Sequence, residues 1–209
     1  MYIYIKRFLD IVFSVVFLVV FSPFLLIIGL AVRLGSRGPA LFRQERIGRD
    51  GKIFRIFKFR SMTVGAEGTG SGVYSCKGDP RVTKIGRFLR ALSLDELPQL
   101  FNILAGQMSF IGPRPVLTYH PWPLAEYTEE QLGRFSVRPG ITGLAQVNGR
   151  KQTPWVKRIE FDLLYVKKIS FITDMSILFS TVFKVFKSEK NLSEQDAETG
   201  KALATNLKN

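Results

Sequence analysis

The 209 residues carry 30 Lys and Arg against 17 Asp and Glu, a formal net charge of +13, with one cysteine and one histidine. Cys76 alone excludes an intrachain disulfide and a multi-cysteine zinc cluster, and His120 alone excludes a histidine-rich metal site. Catalysis, if any, rests on carboxylates, Arg and Lys, hydroxyls and backbone amides, in a chain long enough for one core without staples.

The charge is uneven. Residues 1–90 hold 16 basic and 5 acidic side chains, 91–188 hold 11 and 8, and the remainder 3 and 4. Such a bias implies an anionic partner, whether nucleic acid, phosphorylated small molecule or lipid headgroup, and charge alone does not choose among them. The neighbouring hydrophobic run tips the balance toward a membrane.

Ile11 to Val32 is free of charge and dominated by Val, Phe, Leu and Ile. As a helix it reaches roughly 33 Å, enough for a hydrocarbon layer of about 30 Å. A core helix this apolar is out of place in a small chain, and a cleaved signal would be shorter with a small-residue cleavage site. Ser22 and Pro23 lie mid-run, where proline removes a helical hydrogen bond. Lys6 and Arg7 precede the run and Arg33 and Arg37 follow it, so the positive charge does not distinguish the two ends. Sequence physics leaves a spanning helix and a re-entrant hairpin level.

Leu41 to Phe59 reads as a β-hairpin turning at Asp50-Gly51, with Lys52, Arg55 and Lys58 alternating against apolar residues. The Gly/Ser-rich stretch Gly65 to Gly72 reads as a loop, mobile lid or plain surface. From Val82 to Leu104 two helices are predicted. The first has a basic face of Lys84, Arg87 and Arg90. The second is N-capped by Ser93 with Glu96 as capping-box partner, and turns Leu94, Leu97, Leu100, Phe101 and Leu104 inward. Asp95 and Glu96 then occupy the first turn, where free N–H groups and the helix dipole favour carboxylate anions, as simple caps or as chemistry.

Gly112-Pro113-Arg114-Pro115 follows, and its fixed backbone presents a guanidinium suited to phosphate or carboxylate. Arg138 to Arg150 is a second glycine-punctuated segment whose amides and flanking arginines suit phosphate, although it is neither a P-loop nor a dinucleotide fingerprint. His120 and Trp122 in a His-Pro-Trp-Pro turn read as packing. From Phe171 to Phe186 apolar residues recur every three or four positions, predicting an amphipathic helix on the core or at the lipid interface. The chain beyond Glu189 reads as a polar tail.

Arg90-Ala91-Leu92-Ser93-Leu94-Asp95-Glu96-Leu97-Pro98-Gln99-Leu100-Phe101-Asn102, Met108-Ser109-Phe110-Ile111-Gly112-Pro113-Arg114-Pro115, Arg138-Pro139-Gly140-Ile141-Thr142-Gly143 and Gln146-Val147-Asn148-Gly149-Arg150 together resemble the bacterial sugar transferases. These are monotopic polyprenol-phosphate phosphoglycosyltransferases, and the resemblance runs from Lys6-Arg7-Phe8-Leu9-Asp10 to about Lys187. It implies an α/β fold, mostly helical with a small β-hairpin: a re-entrant membrane anchor over 1–36 bent at Ser22-Pro23, a catalytic domain over 37–188 with interfacial helices, and a tail over 189–209. It implies transfer of a sugar 1-phosphate from a UDP-sugar to polyprenol (undecaprenyl) phosphate with release of UMP, the first membrane step of glycan assembly at the cytoplasmic face of the inner membrane.

By the same resemblance Asp95 is the nucleophile that forms a phosphosugar adduct. Glu96, with Asp95, is tied to Mg²⁺, and Arg90, Arg114, Lys58, Arg60, Arg138 and Arg150 meet phosphates. Lys58-Phe59-Arg60-Ser61-Met62 has serine where the family favours threonine, and Leu164 stands where an aromatic is common. Membrane phospholipid is an implied partner, nucleic acid is not, and a homodimer stays open. The competing classes are a membrane-associated nucleic-acid binder and a non-catalytic scaffold, and intact Asp95, Glu96 and Arg114 weigh against the second. Nothing in the residues selects the sugar.

Overall fold

The computed structural model describes residues 1–70, 72, 78–149 and 153–184. Arg150, Cys76 and the tail beyond Glu189 lie outside the described residues.

Tyr2–Gly35 forms one long helix, α1. A stripe recurring every three or four residues faces the rest of the protein: Arg7, Asp10, Ser14, Leu18, then Leu25, Ile28 and Val32. The other sides stay apolar and exposed, with Val19 at 68% and Leu26 at 75%. A helix so bare is no core helix, and its length and composition suit a bilayer.

How α1 enters and leaves that bilayer follows from what holds its ends. At the N-terminal end Arg7 donates to the carbonyls of Ile103 (2.6 Å) and Leu104 (3.1 Å). Asp10 accepts from the amide of Phe110 at 3.2 Å, and Lys6 pairs with Asp174 at 2.6 Å. At the C-terminal end Arg60 donates to the carbonyls of Val32 (3.0 Å) and Ser36 (2.6 Å). One polar domain therefore grips both ends. A helix crossing about 30 Å of hydrocarbon would carry those ends to opposite faces, and the charged domain that grips both would then have to lie in the hydrocarbon itself. The helix is re-entrant.

Its break is one hydrogen bond wide. Pro23 has no N–H to give the carbonyl of Val19, and the Ser22 hydroxyl donates to that oxygen instead, at 2.9 Å. The Ser-Pro pair thus loosens the helix at mid-membrane without leaving a bare carbonyl in lipid.

Strands β1 (Leu41–Ile47) and β2 (Ile53–Phe59) pair antiparallel, Leu41 opposite Phe59 and Ile47 opposite Ile53. The predicted turn is present, with Asp50 (φ 55) and Gly51 (φ 74) in the left-handed region. The Gly/Ser-rich loop is tied down where it is described: the Arg81 guanidinium donates to the carbonyls of Ala66, Thr69 and Gly72 and pairs with Asp79.

Helix α2 (Lys84–Ala91) is capped by Thr83, whose hydroxyl accepts from the Gly86 amide. The next predicted helix begins later than expected. Ser93 is not an N-cap but a left-handed residue (φ 57) without a capping hydrogen bond, and Leu94–Glu96 is a single 3₁₀ turn. The reason is Pro98, which has no N–H for the carbonyl of Leu94, so an α-helix cannot run through the segment unbroken. Helix α3 covers only Gln99–Leu104, and Phe101, expected inward, is 51% exposed.

Strands β3 (Ser109–Ile111) and β4 (Gly140–Thr142) pair in parallel, joining the two rigid segments singled out in the sequence. A Cβ on Gly140 would collide with the Gly112 amide and the Thr142 carbonyl, so glycine there is a requirement of close backbone approach. Helices α4 (Glu129–Leu132), α5 (Leu144–Asn148) and α6 (Trp155–Lys167) follow, and α7, over 171–184, is the last helix among the described residues. In α7 Asp174 and Ile177 are buried, while Phe179 and Phe183 are 71% and 70% exposed, so its apolar side is left uncovered by the domain. His120 meets Trp155 edge-on at 5.4 Å and Trp122 packs on Tyr127 at 5.3 Å, which makes both packing residues.

Candidate active site

Asp95 and Glu96 lie at the crossing of three elements, and each element is held by a buried polar contact. Asn102 of α3 is fully buried. Its carboxamide accepts from the Phe57 amide (2.9 Å) and donates to the Arg55 carbonyl (2.7 Å), clamping β2 beside α3. That clamp brings Lys58 over the 3₁₀ turn, with Nζ 2.6 Å from Glu96 Oε1. From the other side Arg114 Nη2 reaches the same oxygen at 3.2 Å. The Arg114 carbonyl accepts from Arg134, which is itself paired at 2.6 Å with buried Asp162 of α6. The stiff proline segment is thus anchored through its backbone, leaving its guanidinium at the site.

The electrostatics split the two carboxylates. Burial works against ionisation of Glu96, but Lys58 and Arg114 outweigh it and hold its carboxyl down at about 2. Burial pushes Asp95 up, Lys58 and Arg90 oppose the rise, and the charge of Glu96 adds to it. Asp95 therefore sits above the ordinary aspartate range. Burial lowers the Lys58 amine, countered chiefly by Glu96. Neighbouring carboxylates with opposite shifts suit different tasks: a fixed anion that organises cations, and a more basic carboxylate beside it.

Of the residues expected to meet phosphate, Lys58 and Arg114 come together on Glu96, and exposed Arg90 is close enough for its charge to act on Asp95. Arg60 does not join them. It is 4% exposed and spends its guanidinium on the carbonyls that end α1, making it an anchor for the membrane helix. Arg138 also lies elsewhere, donating to the Gly106 carbonyl at 2.8 Å in a cleft shared with Arg7 and Arg49. The amide of Gly140 is spent on the Pro113 carbonyl, so this part of the glycine segment builds structure in place of an open anion cradle.

Sequence reasoning passes over Asn102, Arg134, Asp162, Arg46 and Gln99. The available signal is a polar residue inside an apolar helical pattern: Gln99 and Asn102 interrupt Leu97, Leu100 and Leu104, and both are at most 2% exposed.

No group of three or more His, Cys, Asp or Glu among the described residues could cage a metal. Both protein bonds to Glu96 end on Oε1, which leaves Oε2 and the Asp95 carboxylate as hard oxygen donors. One or two carboxylates completed by substrate phosphates is the usual protein share of a Mg²⁺ site, so the residues fit that ion.

A re-entrant helix carrying a basic domain whose paired carboxylates sit beside a lysine and an arginine defines a membrane-surface protein with one polar, cation-lined site. The chain belongs to the bacterial sugar transferase family, whose profile matches residues 1–188. It is 50% identical over 186 residues to a UDP-glucose:undecaprenyl-phosphate glucose-1-phosphate transferase of Klebsiella pneumoniae, covering 87% of this chain and 40% of that protein. It is 37% identical over 200 residues to an undecaprenyl-phosphate galactose phosphotransferase of Salmonella typhimurium, covering 89% and 41%. An uncharacterized sugar transferase of Bacillus subtilis, EpsL, is 44% identical over 184 residues and covered to 88% on both sides. The chain spans about two fifths of the first two of these relatives. Its re-entrant helix and family membership go with a monotopic position on the cytoplasmic face of the inner membrane.

Proposed function

We propose that the chain transfers a sugar 1-phosphate from a UDP-sugar to undecaprenyl phosphate, releasing UMP, through a covalent adduct on Asp95. The observation that carries this reading is the triad of Lys58, Arg114 and Glu96 Oε1 beside a carboxylate of raised basicity, in a domain that holds both ends of a re-entrant helix. The relatives named for glucose and galactose transfer to undecaprenyl phosphate support the substrate class.

Attack by an Asp95 oxygen on the sugar-bearing phosphorus forms one P–O bond and breaks the bond to the nucleotide phosphate, whose oxygen keeps the electron pair. The acceptor phosphate then displaces Asp95 from the same phosphorus. A carboxylate is a modest nucleophile, so alignment and charge screening supply most of the rate. Lys58, Arg90 and Arg114 offset the repulsion between Asp95 and the diphosphate. Glu96 keeps Lys58 and Arg114 in place as they do so. Asp95 with Glu96 would hold Mg²⁺, which when bound would neutralise charge on the phosphates.

Asp95→Asn, incubated with UDP-sugar labelled in the sugar phosphate, tests the reading. Wild type should become labelled with release of one equivalent of UMP, and added undecaprenyl phosphate should discharge the label and sustain UMP release. The variant should do neither, and normal labelling with normal turnover would remove Asp95 from the role.

A further inference from the structure

Beside the contact of Lys58 and Arg114 with Glu96 lies a small cleft of about 10 Å³. Arg46, Lys58, Gln99 and Arg114 line it, with Ile56 and Pro115 as apolar walls. Three of the four polar residues are cations, and the carboxylate next to them, Glu96, already serves both Lys58 and Arg114. Arg46 has a guanidinium bound to the Pro115 carbonyl at 3.1 Å and to the Gln44 side chain, yet its Nε is buried with no partner. Gln99 is 2% exposed and its Nε2 is likewise buried without a partner.

Two buried, unpartnered donors in one cleft are unusual, because each forfeits its hydration with nothing in exchange. Burial and the like charge of Arg114 also hold Arg46 below its ordinary range, at about 10. The cleft has an excess of positive charge and of donors, and it is smaller than the pockets that enclose drug-sized ligands. Its free space is that of about one water-sized atom, so one oxygen of a phosphoryl group, entering from the open side, matches its size, charge and donor pattern.

We propose that Arg46 and Gln99, with Lys58 and Arg114, form the subsite for a phosphoryl oxyanion, the phosphate that departs on the nucleotide. The proposal rests on the phosphosugar-transfer reading and adds two binding residues to it. The placement selects the departing phosphate over the attacked one. Asp95 and Arg90 are not in the cleft lining, whereas Lys58 both lines the cleft and acts on Asp95. An in-line displacement puts the entering and leaving oxygens on opposite sides of phosphorus, with Lys58 between the two positions. As the P–O bond breaks, charge gathers on the leaving phosphate, where the Gln99 amide and Arg46 Nε would meet it.

The test uses the full chain in nanodiscs and the near-isosteric variant Gln99→Met, with whichever of UDP-glucose and UDP-galactose the wild type turns over. KM is measured for the donor and for undecaprenyl phosphate, together with inhibition by UMP. Losing a hydrogen bond to a charged group should raise the donor KM and the UMP inhibition constant by about tenfold or more, with the acceptor KM unchanged. A rise confined to the acceptor KM would assign the cleft to the acceptor phosphate and overturn the proposal. Unchanged constants for both substrates would make Gln99 purely structural and overturn it equally. If Gln99→Met does not fold, Arg46→Lys takes its place: a raised donor KM supports the subsite, and a rise in the acceptor KM alone or no change overturns it. Wild type that releases UMP from neither donor would sink the phosphosugar-transfer reading itself, a result separate from any difference between variants.

Discussion

Lys58 and Glu96 are 38 residues apart in the chain and 2.6 Å apart in the structure, Nζ to Oε1. Neither contact point is on a regular helix: Lys58 is near the end of β2, and Glu96 closes a 3₁₀ turn. The pair joins the hairpin to the loop that carries Asp95, so its loss should be felt in both stability and chemistry.

Lys58→Met leaves Glu96 with Arg114 as its one cationic partner, and that arginine is 44% exposed. Removing a largely buried hydrogen-bonded charge should cost about 2 kcal/mol. Urea denaturation should show the loss, and UMP release should fall far more than the folded fraction does. Turnover at the wild-type rate would mean that Lys58 is only an ion-pair partner.

The two carboxylates predict opposite pH behaviour. Asp95 must be ionised to attack, and its raised position places the acid limb of adduct formation above the ordinary 3.8. Glu96→Gln removes a negative neighbour and frees two cations, so that limb should move to lower pH in a single-turnover labelling assay. Glu96 itself is depressed from 4.5 to about 2. Its contribution to stability is therefore complete above the unfolded value and disappears as pH falls toward the folded one. That difference is on the order of 3 kcal/mol. Denaturation of wild type and Glu96→Gln should accordingly differ near neutrality and converge toward pH 2.

Arg134 and Asp162 are 1% and 2% exposed and pair at 2.6 Å. Asp162→Asn alone strands a buried guanidinium and should cost about 3–5 kcal/mol. The double change Arg134→Met with Asp162→Leu should recover most of that loss, because a packed apolar pair replaces two buried charges. Since Arg134 also donates to the Arg114 carbonyl, the double variant should remain folded yet lose activity. Recovery of both would limit the pair to a stability role.

The grip on both ends of α1 predicts its topology. A reactive tag placed ahead of Met1 should be protected from an impermeant reagent in intact spheroplasts and become labelled once they are permeabilised. Pro23→Leu restores the missing N–H and should favour a straight helix, exposing the tag in part of the population. Labelling of the wild-type tag in intact spheroplasts would mean that α1 spans.

Much of the architecture is legible in the sequence because its signals are local. The hairpin is written in the alternation of Ile53 to Phe59 and the Asp50-Gly51 turn, and α1 in its unbroken apolar run. The α3 boundary is misleading in sequence because Ser93 and Glu96 match a capping box locally, while Pro98 and the left-handed Ser93 rule it out. The arginines expected at phosphate look like one group because sequence supplies charge without direction. Arg60 and Lys58 are two residues apart on β2 and its exit, yet one clasps α1 and the other reaches Glu96.

The sequence by itself determined that the protein is basic, that it inserts one apolar segment, and which family motifs it carries, with Asp95 and Glu96 among them. The first two follow from composition and periodicity, and the motifs from a resemblance carried by runs of neighbouring residues. Sequence physics left spanning and re-entrant anchoring level and the family resemblance implied the hairpin; the tertiary structure supplied its physical reason, with Arg7, Asp10 and Arg60 reaching across the fold to both ends of one helix. It also decided which cations serve the carboxylates and which donors are left buried and open. A side chain's role depends on what burial brings to it, and burial here joins residues as far apart as Lys6 and Asp174.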